Sequence, residues 1–277
     1  MSELLPSSDL GELKNTCRHI RYKLVEVSSQ TKTPHLASCL SAVELLVGLY
    51  WTRLIHFPDA PTHPDRDYFL LGKGHAASLL YTVLAYRGFF DVSRLLEHGS
   101  DDSPFEEHPG INAPAGVEAV SGSLGHALSI AVGMAKAAKI KRLANHFFVL
   151  LGDGELNEGT IWEAAMVGAA NNLNNLTVMI DFNKLQGTGR SCEILALEPL
   201  EQKFMAFGWC VHRINGNNIT EVVAALGTTD KTARPVAIIA DTIKGAGVSF
   251  MEDDNNWHYR IPTQEEFIDV ADELGFA

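Results

Sequence analysis

Short, nearly unbroken apolar runs alternate along the chain with longer stretches in which apolar residues recur at helical spacing. Five runs read as strands: Tyr68–Leu71, His146–Leu151, Leu176–Ile180, Cys210–Ile214 and Pro235–Ala240. His146–Leu151 reads as a buried parallel strand. Helices are predicted over Leu10–Gln30, Ala42–Ile55, Ala76–Arg87, Ala127–Ala138, Thr160–Asn172, Leu200–Phe207, Thr220–Leu226 and Gln264–Leu274. Asp9 or Ser8 can cap the first. Ser41 with Glu44, and Thr160 with Glu163, have the spacing of capping boxes. The Ala42–Ile55 segment has so little polar face that it should be buried on most sides. Thr31–Ser41, Phe57–Asp67, Asp91–Ala119 and the region around Asn256–Tyr259 read as loops. Strands and helices alternate throughout. The class is therefore α/β, with a mostly parallel twisted sheet and helices on both faces. No linker composition divides the chain, so 1–277 reads as a single domain.

Composition bounds the function. A chain that is 46% hydrophobic can bury a full core. Its formal net charge of −12 argues against a general nucleic-acid binder, but not against an anion held locally by glycine turns. Cys17, Cys39, Cys192 and Cys210 are scattered and form no C-x-x-C pair, which speaks for reduced thiols rather than a zinc knuckle. No apolar run approaches membrane-spanning length, and Met1–Leu10 lacks the features of a signal peptide. A soluble, cytoplasmic protein without membrane or nucleic-acid partners is the expectation.

The chemistry gathers around Gly152-Asp153-Gly154, just past the second strand, and Asp181-Phe182-Asn183, at the end of the third. In a right-handed βαβ unit these ends lie side by side at the carboxyl edge of the sheet, where open α/β folds bind ligands. Hard oxygen donors beside a glycine turn suit a divalent cation that holds a phosphate. A Gly-Asp-Gly turn is also common in structures where it does nothing more, and Asn183 can simply cap its own turn. Histidines divide by context. His19, His56, His63, His98, His146 and His212 read as surface or satisfied core residues. His35, His75, His108 and His258 each lie in a Gly/Pro-rich loop between elements, as a ring of polar groups around a substrate would. There is no Gly-x-Ser-x-Gly elbow, His-Glu-x-x-His or Walker motif, and no Gly-x-Gly-x-x-Gly after the first strand.

Taken together, the loop around His35, Gly72-Lys73-Gly74-His75, His108-Pro109, Gly122-Ser123-Leu124-Gly125, and Gly-Asp-Gly with Asp-x-Asn-Lys occur in an order that resembles the N-terminal, diphosphate-binding half of transketolases. The segment from Thr242 to Glu252 and Trp257-His258 extend the likeness to nearly the whole chain. The resemblance implies the thiamine diphosphate-binding fold. It further implies that Asp153, Asn183 and the carbonyl of Leu185 bind Mg2+ (or Ca2+), and that His75, Gly154 and His258 hold the diphosphate. Gly122 and Leu124 would meet the aminopyrimidine, and Gly152, Glu155 and Lys244 would complete the cofactor site. His35, His75, His108 and His258 would act on the donor sugar and in proton transfer, a task suited to groups that ordinarily titrate near neutrality. Glu158 would sit at a subunit interface.

The implied reaction moves a two-carbon ketol unit from a ketose phosphate to an aldose phosphate. The family's pyrimidine-binding domain, which carries the glutamate facing the aminopyrimidine and much of the sugar-phosphate recognition, has no counterpart in this sequence. The resemblance therefore implies a split enzyme, an α2β2 heterotetramer completed by a separate C-terminal (pyrimidine-binding) subunit. Leu36-Ala37 replaces the family's usual Pro-Gly, and His126 its glutamine. Two other readings stay open: the α subunit of a 2-oxo acid dehydrogenase, and a non-catalytic cofactor-binding homologue.

Overall fold

The computed structural model describes residues 9–276. In chain order its helices and strands are α1 (Leu10–Thr31), α2 (Leu36–Leu40), α3 (Val43–Thr52), β1 (Tyr68–Leu71), α4 (Ala77–Tyr86), α5 (His126–Lys141), β2 (Phe147–Gly152), α6 (Gly159–Ala170), β3 (Leu176–Phe182), α7 (Ser191–Ile194), α8 (Leu200–Phe207), β4 (Cys210–Asn215), α9 (Ile219–Leu226), β5 (Val236–Asp241) and α10 (Gln264–Glu273). Single 3-10 turns lie at Gly74–Ala76, Val92–Glu97, Gly154–Asn157 and Asn255–His258. The strands form one sheet of order β1-β2-β3-β5-β4, with every pairing parallel. All five anticipated strands are present, and the sheet is wholly parallel rather than mostly so.

Burial explains the strand sequences. Every residue of β2 and β3 is buried, because helices cover both faces and neither needs a polar side. One face packs on α1 to α4, α9 and α10, the other on α5, α6 and α8. The apolar α3 is sandwiched as its composition requires, with Val43 to Tyr50 all buried. None of the described helices is long and apolar enough to cross a membrane. All four cysteines are free thiols.

Several local expectations are corrected. Asp9 caps α1 by accepting from Gly11 N at 2.7 Å; the alternative cap, Ser8, lies outside the described residues. Neither anticipated capping box forms. The N-cap of α3 is Ala42, without a side-chain bond, because Ser41 Oγ donates to Asp181 Oδ2 (2.6 Å) and Glu44 pairs with Arg21 (2.7 Å). Likewise α6 begins at Gly159 after Glu158, and Thr160 Oγ1 donates to the Gly125 carbonyl at 2.9 Å. In each case a tertiary partner outcompetes the local cap. The capping box that does form, Thr263 with Glu266 on α10, has the same sequence spacing. The loop expected over Thr31–Ser41 contains α2, and α7 interrupts the loop after Gly189.

The two edges of the sheet differ in kind. At the amino edge, Asp67 accepts from His146 N (2.8 Å) and Ile55 N (3.1 Å), and faces Arg53 at 3.6 Å. His146 Nε2 meets Thr177 Oγ1 at 2.8 Å, and its ring stacks on Phe148. These contacts close that edge. Burial, with Arg53 nearby, pushes the His146 imidazole down to about 3, so it stays neutral in the fold. An unfolded chain protonates this residue below about 6.5 while the folded chain does not, so its contribution to stability is present above that pH and is lost on acidification. Between pH 7 and 5, unfolding titrations should show wild type losing about 2 kcal/mol more than His146→Gln. Identical pH dependences would contradict the assignment.

Candidate active site

At the carboxyl edge, Gly152 pairs in register with Asp181, and Phe182 with Asp241, so the turns after β2, β3 and β5 emerge together. They open into a cavity of about 890 Å3. His35, His75, His108 and His258 line it, as do Gly122, Leu124, Gly152, Asp153, Gly154, Glu155, Glu158, Asn183 and Leu185. Every anticipated site residue except Lys244 thus reaches one cavity wall, and Lys244 stands directly behind His258.

The histidine ring forms. His35 lies 5.6 Å from His75, 5.7 Å from His108 and 5.2 Å from His258 between ring centroids. His35 is placed by a left-handed backbone (φ 69°) at the start of α2, and its N–H donates to the His258 carbonyl at 3.0 Å. Burial, then the neighbouring His108, holds His35 down to about 4. Burial and Lys244 hold His258 down to about 3, and burial with Lys73 keeps His75 well below the usual imidazole value. These three rings are therefore neutral at pH 7, which corrects the expectation that they titrate near neutrality. Each neutral ring offers one donor and one acceptor. For His258 the roles are fixed: Lys244 Nζ donates to Nδ1 at 3.0 Å, so the proton sits on Nε2. Lys244 is itself buried, which pushes it down to about 8, and it also donates to Asn255 Oδ1 at 3.0 Å.

The metal-type donors are all oxygens. Asp153 is 2% exposed; Oδ1 accepts from Gly154 N (2.8 Å) and Oδ2 from Ser191 Oγ (2.7 Å). Burial raises its carboxyl to about 6, against the Ser191 bond. Asn183 Oδ1 accepts from Leu185 N at 3.1 Å across Lys184, whose φ of 68° makes the tight turn. No cluster of three or more His, Cys, Asp or Glu side chains exists among the described residues, so a zinc-type set is not built. One carboxylate, one amide oxygen and one carbonyl suit a hard cation.

Two residues that sequence reasoning left without a role anchor this edge. Asp181 is fully buried and pairs with Lys73, which is 1% exposed. Lys73 Nζ also donates to the Ser38 carbonyl at 2.8 Å. Asp181 further accepts from Ser41 (2.6 Å), Thr242 and Asn183 Nδ2 (3.2 Å). Burial alone would raise this carboxyl, but Lys73 and the hydroxyl donors hold it below its usual value. The available signal was a carboxylate closing an apolar strand and a lysine between two glycines, both of which must find partners once buried. Ser191, Gln186, Ile194, Leu195 and Tyr259 also went unnoticed and contact or line the site. Glu158 stands exposed at the rim, where Gly125 (φ 88°) packs so closely that a side chain there would meet its Cβ at 2.7 Å.

The family model for the thiamine diphosphate-binding domain of transketolase matches residues 13–277. This chain belongs to the transketolase family. One of the two subunits of an apulose-4-phosphate transketolase, from Phocaeicola vulgatus, is 38% identical over 255 residues, covering 92% of this chain and 90% of the relative. A 6-deoxy-6-sulfo-D-fructose transketolase subunit of a Clostridium species (strain MSTE9) is 37% identical, covering 87% of this chain and 88% of the relative. Human transketolase is 34% identical over 90% of this chain but only 40% of its own length. The solved transketolase of Campylobacter jejuni superposes with a TM-score of 0.91 at 28% identity, over 97% of this chain and 43% of that one. The chain thus spans about two-fifths of the length of these longer transketolases, whereas the relatives called subunits match it nearly end to end. It is a transketolase subunit of the cofactor-binding, N-terminal kind.

Breaking the Lys73–Asp181 pair leaves one buried charge uncompensated. Lys73→Met or Asp181→Leu alone should cost about 3–5 kcal/mol in denaturant unfolding, and the double variant markedly less than the sum. Additive losses would show that the two side chains are not coupled.

Proposed function

We propose that residues 1–277 act as one unit that binds the diphosphate end of thiamine diphosphate and forms a transketolase together with a separate pyrimidine-binding subunit. The observation that carries this is the meeting, in one cavity, of the Gly152-Asp153-Gly154 turn and Asn183 with the four-histidine ring. Asp153, Asn183 and the Leu185 carbonyl would hold Mg2+ (or Ca2+), and the oxygen-only donor set supports a hard cation. Gly154 N–H, His75 and His258 would hold the diphosphate, with Gly152, Glu155 and Lys244 behind them. Gly122 and Leu124 would meet the aminopyrimidine. When bound, the cofactor supplies the carbanion and electron sink for C–C cleavage.

The chain's own residues do the rest. Neutral His258 presents a proton at Nε2, held there by Lys244. Neutral His35, within ring contact of His75, His108 and His258, can donate to one sugar hydroxyl or accept from another. Burial keeps these imidazoles uncharged, so they are poised as proton acceptors that need not first lose a proton. The substrate class is a ketose phosphate donor with an aldose phosphate acceptor. A heterotetramer of two copies of each chain (α2β2), with Glu158 at the interface, fits that residue's exposed position on the cavity rim. Four free cysteines suit a reducing compartment such as the cytoplasm.

The test is to mix the chain with its pyrimidine-binding partner, thiamine diphosphate and Mg2+ across several ketose phosphates. Ketol transfer by the pair is expected, with neither chain active alone. Asp153→Ala should weaken Mg2+-dependent cofactor binding by about 100-fold or more, read by calorimetry. Unchanged binding, or a pair inactive on every donor, would refute the reading.

A further inference from the structure

Glu155 follows the metal-type turn by one residue, yet its carboxylate points back under the turn rather than into a helix cap. It is 1% exposed. Oε1 accepts from Gly125 N at 2.9 Å, and Oε2 accepts from Gly152 N at 3.2 Å. A side chain on Gly72, at the end of β1, would meet these two oxygens at 2.6 and 2.7 Å, so the carboxylate also fills the space above that strand. One side chain therefore binds the end of β2 to the Gly122–Gly125 loop and packs on the end of β1.

The loop is gripped from its other side as well. Thr160 Oγ1 donates to the Gly125 carbonyl at 2.9 Å. Both groups of Gly125 are thus held by the segment that follows Asp153. A Cβ on Gly74 would lie 2.6 Å from Gly122 N, so the loop also rests on the turn carrying His75. The loop makes no comparably close contact with Asp153 itself. Glu155 is the shortest covalent and hydrogen-bonded route from that residue to Gly125.

We propose that Glu155 is a positioning residue that couples the two ends of the half-site: ordering of the Asp153–Gly154 turn by metal and diphosphate is transmitted through its carboxylate to the loop that would meet the aminopyrimidine. This inference rests on the proposed cofactor orientation. A carboxylate is required because both oxygens accept from N–H groups. Glutamine would turn an NH2 toward one of those donors and release it. The Glu155→Gln chain should therefore still bind the diphosphate moiety but no longer tighten the loop.

The experiment uses the full chain with Mg2+ and inorganic pyrophosphate, a ligand too short to reach the Gly122–Gly125 loop. Binding is measured by calorimetry, and amide hydrogen exchange of residues 121–126 by mass spectrometry. In wild type, Mg2+-pyrophosphate should slow exchange in this loop about tenfold. In Glu155→Gln the protection should vanish while pyrophosphate affinity stays within about threefold of wild type. Thr160→Ala, which keeps the carboxylate and releases only the Gly125 carbonyl, should lose part of the protection and serves if the first variant does not fold. Wild-type binding without loop protection, or protection retained in both variants, would overturn the coupling alone. Failure of wild type to bind Mg2+-pyrophosphate would overturn the cofactor orientation and the coupling with it.

Discussion

A lysine and an aspartate sealed in the interior hold this structure's functional edge together. Lys73 follows β1 and Asp181 lies near the end of β3, with β2 between them in the sheet. Neither can stay charged and unpaired out of water. Their need for partners draws in the Ser38 carbonyl, Ser41, Thr242 and Asn183. The pair thereby fixes α2, the entry to α3, and the ends of β3 and β5 relative to one another. A buried ion pair contributes little net stability compared with apolar packing, but it tolerates few alternative arrangements. What it secures here is placement: His35 lies just before α2, Asn183 just after β3, and Lys244 just after β5.

The same burial that forces this pairing sets the electrical character of the cavity. The amino edge of the sheet is closed by Asp67, Arg53 and His146, so polar groups there are consumed in structure. At the carboxyl edge polar groups are held in place but face the cavity. Burial keeps His35, His75 and His258 neutral and makes Asp153 reluctant to ionise. An uncharged cage of imidazoles around an oxygen donor set is ready to receive a cation with its anion, rather than either alone.

The fold was legible because its signal is repetitive. Five apolar runs separated by helical stretches can only be a covered parallel sheet, and the strand ends fell within about two residues of expectation. The glycine turns and the loop histidines were legible for a different reason: Gly, Pro and His clusters between elements have few structural uses. What escaped were decisions made by distant partners. Ser41 and Thr160 sit at helix starts with cap spacing, yet each donates its hydroxyl elsewhere, to Asp181 and to the Gly125 carbonyl. Asp181 was visible as half of Asp-x-Asn, but nothing local says that it faces Lys73 more than a hundred positions away rather than the cavity. The lowered titration of the histidines likewise depends on depth, which spacing does not encode.

The central claim is that this chain is the half of the site that grips the diphosphate. The most direct measurement is a calorimetric comparison of thiamine diphosphate and unphosphorylated thiamine binding to the chain without its partner, with and without Mg2+. The account predicts that thiamine diphosphate binds only with Mg2+, and at least about 100-fold more tightly than thiamine. Equal affinities for the two, or binding indifferent to Mg2+, would contradict it.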